Sequence, residues 1–228
     1  MSVENLIKFP IILELQWMLS MKFLKNSFLF VVLIAALILS SAVMAKSNQN
    51  PYEKIEKITQ ELIGIINLHQ KDYPRNEKQY FLAVTNLLED TVDFNYISKK
   101  VMGSYRASTT PSQRKKFAEK FRMGLVETYG RGLINYGDQK IVIVNRSPLK
   151  QGQKTLVVQQ EIRSSGKTFP LRYSMARKKT GEWMVINMTI SGINLREIFR
   201  NQFSQAVQQT SGDFDAVISS WVTDVEQQ

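Results

Sequence analysis

The sequence predicts an α+β fold in which helices pack against one face of a curved antiparallel sheet and further helices close the domain. Three observations predict it. Apolar residues recur at three- and four-residue steps up to Leu133, the period falls to two between Lys140 and Ile190, and helical spacing returns after Gly192. No internal repeat or second domain boundary interrupts this order, so residues 46–228 are read as a single domain.

Behind Pro51, the residues Ile55, Ile58, Leu62, Ile65 and Ile66 form the stripe of a first amphipathic helix. Tyr80, Val84, Leu87 and Leu88 repeat the pattern after a polar connection broken at Pro74, and Tyr96, Ile97 and Val101 indicate a short third helix. The fourth carries the clearest start signal. Thr110 is a natural N-cap, Pro111 suits the first helical position because the missing N–H would have no partner there, and Gln113 completes a capping box. Its apolar face runs through Phe117, Phe121, Leu125, Tyr129 and Leu133, and Gly137 closes the region.

Extended segments follow at Ile141–Val144, Leu156–Val158, Phe169–Met175 and Trp183–Ile190. In the third, Phe169, Leu171, Tyr173 and Met175 alternate with Pro170, Arg172, Ser174 and Ala176, so one face is apolar and the other mixed. Short turn-rich links (147–154, 164–167 and 178–182) predict an antiparallel meander. Asn194, with Glu197 three residues later, predicts the cap of a helix bearing Leu195, Ile198, Phe199 and Phe203. Phe214, Val217, Ile218, Trp221 and Val225 mark a last amphipathic segment.

The first residues predict export. Lys22 and Lys25 follow Met21, an unbroken apolar stretch runs from Phe28 to Leu39, and Val43 and Ala45 sit where a signal peptidase would read small residues, placing cleavage after Ala45. A membrane anchor would need roughly 20 apolar residues, and this core is shorter. Residues 1–20, with Glu4 and Glu14, precede the basic start of that signal and are read as an extension arising from a mis-assigned start, with Met21 as the true one. The chain has no cysteine, which excludes disulfides, a thiolate nucleophile and lipoprotein acylation, so stability rests on a packed core.

The net charge of +10 becomes +9 once Lys8, Lys22, Lys25, Glu4 and Glu14 are removed with residues 1–45. Basic and acidic residues are interspersed, and in an exported protein nucleic acid is not the expected partner.

A search for catalytic groups finds little. The single histidine, His69, lies at a polar helix end. No cluster has metal-ligand spacing, and no nucleophile elbow or phosphate-binding glycine loop is present. Glu89, Asp90 and Asp93 sit at a helix end, where capping is the ordinary role. Aromatic and methionine residues are plentiful on the predicted elements, which serves a solid core or a pocket of variable shape equally well.

The run from Val92 to Arg106 (VDFNYISKKVMGSYR), continued by Thr110-Pro111-Ser112-Gln113-Arg114 and Phe117, resembles the MlaC family of periplasmic phospholipid-binding proteins, also called toluene-tolerance proteins. Thr128-Tyr129 with Leu133 and Tyr136, Gly181-Glu182-Trp183, and Gly192-Ile193-Asn194-Leu195 with Phe199-Arg200 and Phe203 match further blocks of that family in the same order. Asn187 stands where the family usually has Asp, Asn194 where it usually has Ser, and Tyr105 where Trp is commoner.

The resemblance implies an NTF2-like fold with added helices around an apolar lipid cavity, and a carrier rather than an enzyme. It implies phospholipid as cargo with no other cofactor. The implied partners are the substrate-binding subunit of an inner-membrane ABC transporter (MlaD-like) and an outer-membrane lipoprotein–porin complex (MlaA-like), with the carrier itself a monomer serving outer-membrane lipid asymmetry.

The physical requirement agrees. Each CH₂ moved into water costs roughly 0.8 kcal/mol, so one long acyl chain costs on the order of 12 kcal/mol and must be enclosed almost entirely. On this reading the pocket candidates are Met102, Phe117, Phe121, Leu125, Tyr129, Leu171, Tyr173, Met175, Val185 and Phe203, with Arg106 as a head-group neighbour. The alternatives are an NTF2-like enzyme using a carboxylate on the concave face, for which the strands offer only Glu161 and Glu182, and a ligand-free adaptor.

Overall fold

A computed structural model describes residues 50–137 and 139–221. The expected signal at 21–45, the extension at 1–20 and Val225 lie outside the described residues. Four helices, α1 (Pro51–His69), α2 (Glu77–Glu89), α3 (Phe94–Met102) and α4 (Pro111–Leu133), precede the sheet. Its strands are β1 (Lys140–Ile143), β2 (Thr155–Ser164), β3 (Lys167–Arg177), β4 (Trp183–Ile190) and β5 (Ile193–Asn194), and α5 (Leu195–Gln209) and α6 (Phe214–Ser219) follow. The strands pair antiparallel in chain order, the expected meander. Among the described residues no helix is long and apolar enough to cross a membrane.

Short polar side chains start the helices. Asn50 accepts the Tyr52 amide at 3.0 Å, and Asp93 accepts that of Tyr96 at 2.9 Å. The capping box of α4 forms as the sequence predicts, with Gln113 N donating to Thr110 Oγ1 at 3.1 Å and Thr110 N to Gln113 Oε1 at 2.9 Å. Asn194 does not follow the expectation. It occupies the N-cap of α5 without a side-chain cap bond, because residues 193–194 pair with β4 as a short fifth strand. The second strand also exceeds its predicted span. Polar Gln159, Gln160 and Glu161 join it because β1 and β3 flank it on both sides, and ladder pairing overrides weak propensity.

Register assigns the faces. Tyr173 pairs with Val158 and Met188, Leu171 with Gln160 and Ile190, and Met175 with Leu156 and Val185. Ser174 pairs with Asn187 while Met175 pairs with Val185, so β4 carries one extra residue there, and such a bulge bends the sheet. The segment after α2 lies along the free edge of β4: Val185 N donates to Thr91 O at 2.8 Å and Asp93 N to Val185 O at 2.9 Å. The buried Lys54 ties α1 to the same corner, donating to Asp90 O at 2.8 Å and reaching Glu182 Oε1 at 3.4 Å.

The apolar interior is divided into three clusters. One is helical and rich in rings, with Phe117 centred 4.8 Å from Phe203 and 5.1 Å from Trp221, and Phe121 5.3 Å from Phe199. The second joins Tyr52 and Ile55 of α1 to Val158, Met175, Trp183 and Val185 of the sheet. The third holds α1, α2 and the end of α4 together through Ile66, Tyr80, Val84 and Val126. There Gly130 permits close approach: a Cβ would stand 3.1 Å from the Phe81 ring, and Tyr80 donates its hydroxyl to Gly130 O at 2.9 Å.

Candidate functional site

The helices that come up against the strands are α1, which faces β1 and β2, and α3 and α5, which face β4. Helix α4 packs mainly on α3, α2 and α6 and supplies no residue to the sheet cluster. Apolar side chains on α4 and on the sheet keep open surface. Leu125 and Tyr129 continue the same helical face as the fully buried Phe117 and Phe121, yet are only half-buried. On the sheet, Tyr173 is half-buried although its face-mates Leu171, Met175 and Val158 are closed off. Burial nevertheless pushes the Tyr173 hydroxyl well above the ordinary phenol range. Met188, its cross-strand partner on β4, keeps open surface in the same way. Leu62, Leu88, Ile143 and Leu156 fringe the three clusters with the same partial burial.

The structure sorts the sequence candidates into two groups. Leu171, Tyr173 and Met175 share the inner sheet face, and Val185 lies beside Met175. Met102, Phe117, Phe121 and Phe203 lie in the ring-rich helical cluster, where each is at most 1 % exposed. Val92 bridges the two clusters, and Leu125 and Tyr129 pack at the margin of the helical one. Arg106 is exposed in a turn after α3, and its carbonyl accepts from the Thr109 backbone and hydroxyl.

Sequence reasoning missed Gln160. It is 2 % exposed on the inner face, donating Nε2 to Thr59 Oγ1 at 3.0 Å while Thr59 donates to Ile55 O at 2.8 Å. The alternation Leu156, Val158, Gln160, Ile162 was the available signal, since it places this amide in an apolar row.

The two strand carboxylates do not meet on that face. Glu161 pairs with Val142 and Pro170 on the outer row and binds Arg163 at 2.7 Å, and Glu182 binds Lys54 in the β3–β4 turn. Glu89 forms an ion pair with Arg122 of α4, and Asp93 both caps α3 and meets Lys178 at 3.5 Å. His69 lies at the end of α1, 5.9 Å from the Tyr80 ring centre, with Asn76 Nδ2 at 3.1 Å from Nδ1. Among the described residues no group of three His, Cys, Asp or Glu could hold a metal ion.

Helices packed on one face of a bent sheet, with apolar side chains that keep open surface on the sheet and on α4, suit an α+β binding protein for an apolar molecule. The chain belongs to the MlaC family: a family profile described as "MlaC protein" matches residues 56–223. It is 31 % identical over 193 residues to the toluene tolerance protein ttg2D of Pseudomonas putida, covering 84 % of this chain and 89 % of that one. It is 30 % identical over 168 residues to the intermembrane phospholipid transport system binding protein MlaC of Haemophilus influenzae, covering 73 % and 77 %. A solved phospholipid-binding protein from Ralstonia solanacearum, in complex with a phospholipid, shares the fold with a TM-score of 0.67 at 20 % identity, over 75 % of this chain and 94 % of that one.

Proposed function

We propose that the chain is a periplasmic phospholipid carrier that holds acyl chains between the sheet and α4. The observation that carries this reading is a set of half-buried apolar side chains, Tyr173 with its cross-strand partner Met188 on the sheet and Leu125 with Tyr129 on α4. Leu125 and Tyr129 face the cargo from α4, Leu171, Tyr173 and Met175 from the sheet, and the sealed cluster of Met102, Phe117, Phe121 and Phe203 keeps α4 in place. Val185 closes the end of the site beside Tyr52 and Trp183.

Export by the signal at 21–45 delivers residues 46–228 as the carrier. The cargo passes between a MlaD-like subunit of an inner-membrane transporter and a MlaA-like outer-membrane complex, as the relatives' names favour. No bond is made or broken in that exchange, which agrees with the scattered, ion-paired carboxylates. The test is solvent extraction of the exported protein, purified without detergent, followed by lipid mass spectrometry. Stoichiometric phospholipid is expected, and its absence from gently purified protein overturns the reading.

A further inference from the structure

The inner face of the sheet does not end in a closed wall. By register, Phe169 lies on it with Ile162 and Ile141, and Leu171 lies on it with Ile190 and Ile193. Along this face Met175 is 0 % exposed, Tyr173 half-buried, Leu171 5 % and Phe169 43 % exposed, with Ile193 at 51 % near the same edge. Phe169 and Ile193 flank the Ser191–Gly192 turn, which is fastened to β3 by Ser191 N donating to Pro170 O at 2.8 Å. An apolar ramp therefore runs from solvent to the interior.

Cations stand at its outer end. Lys167 opens β3 beside the β2–β3 turn and Arg196 lies in the first turn of α5, and neither has a carboxylate within 4.0 Å among the described residues. Of the acids on these elements, Glu161 is bound to Arg163 and Glu197 is exposed beside Arg196.

We infer that this rim is the lipid portal and that it touches an anionic lipid surface directly, with Phe169 and Ile193 entering the interface and Lys167 and Arg196 on the head groups. The inference rests on the carrier reading. Two exposed apolar side chains with two cations fall far short of the roughly 1,000 Å² of a stable protein interface. They suit the shallow, reversible contact of an interfacial anchor with basic flanks. The ramp behind them leads acyl chains inward without crossing water.

The test measures binding of the exported chain to vesicles of phosphatidylethanolamine with phosphatidylglycerol, against phosphatidylcholine alone, together with transfer of a fluorescent phospholipid. The wild type is expected to prefer the anionic vesicles, more weakly at high salt. Phe169→Ser with Ile193→Ser lowers binding and transfer about tenfold or more. Lys167→Gln with Arg196→Gln lowers binding to anionic vesicles by about fivefold per charge and removes the preference. Val157→Ser, which removes a 41 % exposed apolar side chain from the outer face of β2, is the control and changes neither.

Circular dichroism confirms that each variant folds. A lipid-loaded wild type that ignores anionic vesicles, or a rim variant that binds like the control, overturns the proposal, and the former leaves a protein partner as the occupant. Lipid extraction reads the carrier function separately, so an empty wild-type protein that still binds vesicles through this rim sinks the carrier reading and not the rim.

Discussion

Replacing Leu125 with Trp separates an open site from a solid core. Leu125 follows the sealed Phe121 on the same face of α4, yet it is only half-buried. In a packed interior the added ring would force neighbours aside at a cost of about 1–3 kcal/mol. Against an open space it enters room otherwise held by lipid, and the empty protein loses less than about 1 kcal/mol. The ring displaces roughly four methylenes of acyl chain at about 0.8 kcal/mol each, so lipid is held about 3 kcal/mol less tightly, roughly two orders of magnitude in affinity. Urea unfolding of delipidated protein measures the first quantity, and competition for a fluorescent phospholipid measures the second. A variant destabilised by 1–3 kcal/mol with its lipid affinity intact would refute the placement of Leu125 at the cargo.

Phe117→Ala, which removes a ring from the fully buried cluster with Phe203 and Trp221, is expected to cost about 3–5 kcal/mol in urea unfolding whether or not lipid is present. Gly103 has φ +57°, and a Cβ there would stand 3.2 Å from Arg200 Nε, so Gly103→Ala should destabilise by about 1–2 kcal/mol, with only partial relief from Arg200→Ala. Thr110→Ala removes the acceptor for Gln113 N and should cost about 1 kcal/mol, read from the urea midpoint.

Burial pushes the Tyr80 hydroxyl up to about 12, with neighbouring Tyr73 adding to the rise. The unfolded chain ionises near about 10, so this contribution is complete below that pH and is lost as pH climbs towards 12. Urea midpoints measured across that range should fall less steeply for Tyr80→Phe than for the wild type, and an equal slope would remove Tyr80 as a cause.

Helices were legible because their signals are local. The Thr110–Gln113 box and the spacing of Phe117, Phe121 and Leu125 each lie within a few turns of chain, where a 3.6-residue period can be read directly. The same property set the limit at Asn194. Its neighbours in sequence signal a cap, but Thr189 across the turn claims its backbone for a strand. Gln160 was hidden for a related reason, since the Thr59 hydroxyl it donates to is 101 residues away.

The sequence by itself determined the α+β order, the meander, the apolar face of β3 and the family blocks, because each is written in periodicity or in runs of neighbouring residues. Tertiary structure alone decided which members of one apolar stripe are sealed and which keep open surface. Phe121 and Leu125 look alike in sequence. Phe121 closes on Phe199, while Leu125 packs at the margin of the ring cluster and stays half-buried. Packing depends on what crosses the space from another element, and no local pattern records that.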